Sequence, residues 1–408
     1  MSTIVPFQAL RPIAELADQV ASRPYDVLDS REAREEAADN PYSFLHITKS
    51  EIDMPLNVDV HSQAVYEKAK ENLQSFIEKD VLLEEDKPCY YIYTLLMNGR
   101  SQTGLVAGSS VDDYEAGIIK KHELTRPEKE NDRINHMKTI RAQTGNVFLA
   151  YKAVAAIDGL IEDWKRGHPP LYDFVAADGI GHTVWKVDDE KTIATISGLF
   201  AREVPFTYIA DGHHRAASAA KVRKALGSGA SVASDYFLTT LFPSSQLHIL
   251  DYNRLVRDLN GHSVEDLVDG LGKQFFVGRV DQAFSPSALH EFGMYVDGGW
   301  YKLVAKEGSY SADPIGVLDV TILQKNVLDH LLGIKDQRTD KRIEFVGGIR
   351  GLAELERRVD SGEMKIAFSL YPVSIGQLFD IADSGQVMPP KSTWFEPKLR
   401  DGLLTHLI

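Results

Sequence analysis

The chain reads as an α+β (mixed α/β) protein, and three stretches carry that reading. The first is 206–226, where a short apolar run (FTYIA) stops at Asp211-Gly212 and an Ala-rich segment of high helix propensity follows. The second is 62–107. An amphipathic helix over 62–79, with Val65, Ala69, Leu73, Phe76 and Ile77 on one face, precedes a β-rich run at 90–97. Asn98-Gly99 then marks a hairpin, and 104–107 continues the returning strand. The third is 261–308, where strands near 275–280, 293–296 and 300–304 suggest a smaller α+β module.

The other elements follow in order. Residues 3–10 are strand-like, 14–21 form a short helix, and Pro24 breaks any helix through Arg23-Pro24-Tyr25-Asp26-Val27. Asp26 either faces a site or caps a helix over 30–38, which Asn40-Pro41 closes. Strands are expected at 146–155 and 232–242. A helical stretch is expected from Asp251 to Asn260-Gly261, and helices at 318–332 and 374–382, with Gly333 as a C-cap. The boundaries suggest a domain over 1–245 and a C-terminal module over 246–408. The tail of that module, 388–398, is stiffened by two prolines and anchored by Trp394 and Phe395, and is expected to return to the active site.

Composition narrows the function. The 408 residues are 43% hydrophobic and 25% charged, and the net charge is -14. That acidity disfavours a surface for nucleic acid or anionic membrane, but leaves room for a local basic pocket. The single cysteine, Cys89, excludes an intrachain disulfide and a thiolate zinc site. The N-terminal stretch has no signal-peptide pattern and no apolar run approaches a membrane span, so a cytoplasmic protein is expected. The oligomeric state is left open.

The chemistry concentrates in Asp211-Gly212-His213-His214-Arg215. Gly212 lets backbone approach a ligand, the helix start offers free N–H groups, and Arg215 can fork onto a phosphate. Asp211 sits where an N-cap or a metal-binding carboxylate belongs. Buried between strand and helix, these polar groups need partners, which points to a phosphate cradle. A second dense polar stretch, 120–133, carries Lys120, His122, Glu123 and Arg126, a mixture able to hold phosphates and position a base, or simply a solvated charged loop. Lys391, Ser392 and Thr393 add a cation and two hydroxyls, in a tail that is either ligand-binding or a structural clamp. His182 and Trp185 read as structural residues, and the charged segments 120–133, 211–215 and 388–393 are expected to share one cleft.

Six motifs, PFQALRP, RPYDV, KKHELTRPEKENDR, YIADGHHRAASA, DYNRLV and MPPKSTWFEPKL, together resemble the bacterial and archaeal family called domain of unknown function 1015, across nearly the whole chain. DGHHR between strand and helix is also similar to the phosphate-holding motif of the ParB/sulfiredoxin-like superfamily, and within it to free-serine kinases. The resemblance implies a ParB/sulfiredoxin-like nucleotide site at Asp211, Gly212, His213, His214 and Arg215. It also implies a carboxylate base, assigned to Glu123 with Asp26 behind it. The motif lacks the cysteine of sulfiredoxins, and the acidic balance argues against ParB-like DNA binding.

The function expected is Mg²⁺-dependent transfer of a phosphoryl group from ATP or ADP to a small hydroxylated metabolite, free L-serine first. Asp211 would hold the metal, Glu123 would take the proton, and His213, His214 and Arg215 would clamp phosphates. Lys120, Arg126 and Lys391 would neutralise charge. The alternatives are a non-catalytic nucleotide-binding regulator acting through a protein partner and, third, a metal-dependent phosphoester hydrolase with His122, His213 and His214 as ligands.

Overall fold

The computed structural model describes every residue of the chain except Ser228. Its mixed helices and sheets confirm the α+β class. They divide into two units, Met1–Leu247 with Pro397–Ile408, and His248–Glu396.

The first unit is built on a nine-stranded sheet. Its order runs Ile119–Lys120, Thr207–Asp211, Val147–Tyr151, Tyr236–Pro243, Arg100–Ser110, Tyr90–Met97, Gly181–Val187 and Tyr172–Val175, with Ile4–Val5 paired to Arg100–Ser110. The predicted hairpin at Asn98-Gly99 joins two of these strands in antiparallel register, Tyr91 opposite Val106 and Met97 opposite Arg100. Gly99 takes φ +76°, which its type I′-like turn requires. Ile92, Leu105, Leu149, Ile209 and Leu241 fill a core that also takes Ile157 and Phe200 from the helices Ala155–Gly167 and Glu190–Glu203. Ala216, Ala219 and Ala220 of helix His213–Leu226 enter the same core, their small side chains letting the helix lie close to the sheet. A second core gathers Leu10, Val20, Phe44, Leu73 and Phe76. It includes the predicted amphipathic helix, observed as Gln63–Glu78.

A four-stranded sheet closes this unit, in the order Leu82–Glu84, Ala9–Pro12, Thr405–Leu407, Ala142–Gln143. The last residues of the chain are thus an interior strand, tied to the N-terminal segment. Ser22 and Asp401 reinforce the tie by exchanging backbone hydrogen bonds of 3.0 and 2.9 Å.

The second unit carries a six-stranded antiparallel sheet ordered Phe275–Val280, Gly299–Ala305, Glu291–Val296, Ile366–Leu370, Tyr252–Val256, Ile343–Gly347. Here one expectation is corrected: the stretch after Asp251 is a strand, Tyr252–Val256, and not a helix. All five of its residues are buried between two neighbouring strands, a tertiary environment that overrides the weak helical pattern. The helix expected over 318–332 is α-helical only at Asp319–Leu323 and continues as a π-helical turn at Gln324–Asp329. Residues 127–133, the second half of the polar stretch 120–133, open the helix Pro127–Ile140, which starts on a proline. Among the described residues no helix is long and apolar enough to cross a membrane.

The C-terminal return makes one backbone position unforgiving. Gly402 has φ +92°, and a Cβ there would lie 2.7 Å from Cβ and Cγ of the fully buried Phe44. Gly402→Ala should therefore cost about 2–4 kcal/mol, combining overpacking with a left-handed backbone. Calorimetric unfolding checks this; an unshifted transition would show that the return repacks freely.

Candidate functional site

Strand Thr207–Asp211 lies between Ile119–Lys120, which it parallels, and Val147–Tyr151, which it opposes. Its register slips between Ile209 and Asp211, a bulge that re-aims the strand end. Gly212 then turns the chain with φ +98°, and helix His213–Leu226 starts without any side-chain cap. A Cβ on Gly212 would meet the Arg215 guanidinium at 3.2 Å and the Val147 Cα at 3.3 Å, so close packing requires glycine as much as the dihedral does. The first-turn amides of this helix have no helical carbonyl to donate to.

Both histidines of the motif turn away from the role of phosphate cation. His213 is buried, and its Nε2 accepts the His122 backbone N–H at 3.4 Å. His214 Nε2 accepts the Arg126 backbone N–H at 2.9 Å. An acceptor nitrogen carries no proton, so each ring is neutral with Nδ1 protonated. Burial pushes His213 far below its ordinary value, helped by His122, whose ring meets it edge-on at 4.5 Å. Burial lowers His122 to about 4, and burial followed by Lys129 lowers His214. The two rings of the motif therefore fasten segment 120–126 to the helix start. The fastening brings Glu123 to the motif, its Oε2 3.8 Å from His213 Nδ1.

Arg215 is likewise committed. Its guanidinium donates to the Asn146 carbonyl and to Asp26 Oδ2 at 3.4 Å, and pairs with Asp211 Oδ2 at 3.5 Å. Burial opposes this cation, but Asp26 and Asp211 more than restore it and raise its pKa. Its Nε is buried without a partner, and the cavity it lines with Tyr25, Arg133, Thr144 and Gly145 measures about 20 Å³. That is room for a water, not a phosphate. The expected phosphate fork is a structural cation, which corrects the sequence reading.

Asp211 sits at the opening of the site with about a third of its side chain exposed. Burial would raise its carboxyl, but Lys398, then Arg215, outweigh it and hold the group well below the usual range. Lys398 Nζ lies 3.3 Å from Asp211 Oδ2. Neither Lys398 nor Asp401 was singled out from sequence. Asp401 is buried, accepts the Tyr25 N–H at 3.4 Å, and is pushed up to about 7 by burial against the pull of Arg215. The charged run Lys398-Leu399-Arg400-Asp401 was the available signal. Arg400 joins His182 Nε2 at 3.3 Å and pairs with Asp178, and Tyr93 OH contacts His182 Nδ1 at 2.8 Å, so His182 is the structural residue expected.

The remaining candidates fall elsewhere. Lys120 Nζ lies 4.3 Å above the Phe206 ring, and Arg126 is exposed, contributing its backbone rather than its guanidinium. Lys391, Ser392 and Thr393 belong to the second unit. There the Lys391 carbonyl accepts from the buried Arg254 at 3.0 Å, and the Ser392 hydroxyl donates to the Pro389 carbonyl at 2.6 Å. Trp394 packs edge-on against Tyr252 at 5.0 Å, and Phe395 pairs with Ile249. The tail thus divides after Glu396: residues up to it clamp the second unit, and those from Pro397 complete the first.

A three-histidine metal centre is overturned. His213 and His214 both spend Nε2 on backbone amides. Among the described residues no group of three or more His, Cys, Asp or Glu side chains could hold a metal ion. For Mg²⁺ the candidate protein donor is the Asp211 carboxylate at the helix start. That fits an ion whose other ligands are phosphate oxygens and water, and does not fit one caged by protein alone.

The family model described as "Protein of unknown function (DUF1015)" matches residues 4–321, and the chain belongs to that family. No curated protein matches the sequence. Several solved structures align with the chain at low identity and low TM-score. A conserved hypothetical protein from Pyrococcus furiosus shares 14% identity at a TM-score of 0.37, covering 74% of this chain and 94% of its own. A free serine kinase in complex with AMP shares 13% at 0.37, covering 74% and 92%. SbnI from Staphylococcus aureus, truncated at its C-terminus, shares 10% at 0.38, covering 72% and 85%.

The buried imidazoles give a pH prediction. Burial favours the neutral ring, so below pH 6.5 these imidazoles bind fewer protons in the folded than in the unfolded chain, and the stability they contribute is lost as the pH falls toward 4. Nitrogen-15 NMR of the imidazoles should show His122 and His213 neutral at pH 5, with Nδ1 of His213 protonated. An imidazolium signal from His213 at that pH would refute the acceptor role of its Nε2.

Proposed function

We propose that the protein is a Mg²⁺-dependent phosphotransferase that moves a phosphoryl group from ATP or ADP to a small hydroxylated metabolite, with free L-serine as the first acceptor to test. One observation carries the reading. An uncapped helix start at Gly212 is flanked by carboxylates from three separate segments, Asp26, Glu123 and Asp211, which neutral histidines and one buried arginine hold in place. Amides at such a helix start suit phosphate oxygens, and phosphoryl transfer depends chiefly on positioning and charge.

In this reading the acceptor oxygen attacks the terminal phosphorus and the bond to the nucleotide breaks. The leaving electron pair stays on the nucleotide, and the hydroxyl proton passes to Glu123. Glu123 is the first base to test, and Asp26, whose carboxylate lies 3.4 Å from the Arg215 guanidinium, is the second. Asp211 would supply the protein ligand to a Mg²⁺ carried on the phosphates, and that ion would neutralise their charge. The His213 Nδ1–H faces Glu123 and would orient it.

The test incubates protein and Mg²⁺ with ATP or ADP and a panel of hydroxylated amino acids and sugars, with phosphorus NMR to detect new phosphoesters. Asp211→Asn and Glu123→Gln should each lower the rate by ~10²–10⁴, with unfolding temperature as the control. Nucleotide binding without any phosphoester would favour a non-catalytic regulator. Product formed at full rate by Glu123→Gln would move the base to Asp26.

A further inference from the structure

The cations placed in the motif by sequence leave a question of charge. His213 and His214 are neutral acceptors of backbone N–H groups. Arg215 is buried and divided among Asn146, Asp26 and Asp211, beside a cavity too small for phosphate. Lys120 lies over Phe206. A nucleotide tail at the Gly212 helix start would meet three carboxylates nearby, and needs a cation that can reach it.

Lys398 answers that need by geometry. Its Nζ stands 3.3 Å from Asp211 Oδ2, on the carboxylate that precedes Gly212, at the partly exposed end of the Asp211–Arg215 pair. An ammonium has three donors on a flexible stem, so it can keep Asp211 and take an anion at once, which a guanidinium locked among three acceptors cannot. The backbone on the C-terminal side of the lysine is anchored. Pro397 and Lys398 are followed at once by Arg400, paired with Asp178 and His182, and by Asp401, bridged to Ser22. Beyond them, Thr405–Leu407 is an interior strand of the four-stranded sheet. The backbone that presents Lys398 is thereby anchored beside Asp211.

We propose that Lys398, delivered by the C-terminal return, is a catalytic residue that contacts the phosphate chain of the nucleotide and neutralises the phosphoryl group during transfer. The inference rests on the phosphotransferase reading above and adds to it the residue that replaces the expected Arg215 and Lys391. Asp211 has a second task in this arrangement: it holds the ammonium beside the helix start.

Calorimetric titration with AMP, ADP and ATP in Mg²⁺ tests it. Lys398→Gln should weaken ADP and ATP binding by roughly 10–100-fold, the scale of one lost charge-assisted hydrogen bond, and leave AMP affinity much less affected. Turnover should fall by a further ~10²-fold or more, and Lys398→Arg should recover part of both. Equal loss for AMP, ADP and ATP, or none for any, would overturn the assignment and leave Lys398 a structural partner of Asp211. Failure of the wild-type protein to bind any of the three would instead overturn the nucleotide reading itself. Should the variant not fold, wild-type protein still decides: ADP with Mg²⁺ should protect Lys398 from amine acetylation read by mass spectrometry, and AMP should not. Unprotected Lys398 in an ADP-saturated sample would refute the contact.

Discussion

The site depends on one buried cation. Arg215 lies on the first turn of helix His213–Leu226 and holds a carbonyl from the loop before Val147, a carboxylate from the N-terminal segment and the carboxylate at the end of strand Thr207–Asp211. Asp401, from the far end of the chain, lies within its field. Without the guanidinium, these carboxylates would face one another in a partly dry setting, where an uncompensated buried charge costs ~3–5 kcal/mol. The demand runs in both directions. The carboxylates make burial of the arginine tolerable, and the arginine makes their convergence tolerable.

Gly212 is the steric counterpart of that electrostatic demand. The guanidinium approaches so closely that a side chain on Gly212 would occupy its space, and the turn needs positive φ. Gly212 as N-cap has no side chain with which to cap the helix start. The histidines then serve as fasteners. Burial removes their charge and leaves each an acceptor that a backbone N–H of segment 120–126 can use. The Asp211–Arg215 stretch thus contributes structure, and Lys398, nearly two hundred residues downstream, is the cation beside Asp211.

Much of the scaffold was legible from local chemistry. The Asn98-Gly99 hairpin, the helix at Gln63–Glu78 and the strand–DGHHR–helix order each follow from signals confined to a few consecutive residues. The strand at Tyr252–Val256 was misread because its conformation is set by two neighbouring strands rather than by its own pattern. Helix Pro127–Ile140 was hidden by charged residues that gave it little apolar periodicity, although Pro127 at its first position was a visible start signal.

What the sequence alone determined is where polar chemistry accumulates and which backbone shapes are possible there. Glycine, aspartate and consecutive histidines before an alanine-rich helix are local facts, and so are their torsional consequences. Which of those groups are charged, and which are spent on the protein itself, was decided by tertiary structure. The protonation of His213 depends on a backbone N–H from His122, the freedom of Arg215 on Asp26 and Asn146, and the cation beside Asp211 on a C-terminal strand inserted between Ala9–Pro12 and Ala142–Gln143. Desolvation and pairing are properties of neighbours in space, and those neighbours come from opposite ends of the chain.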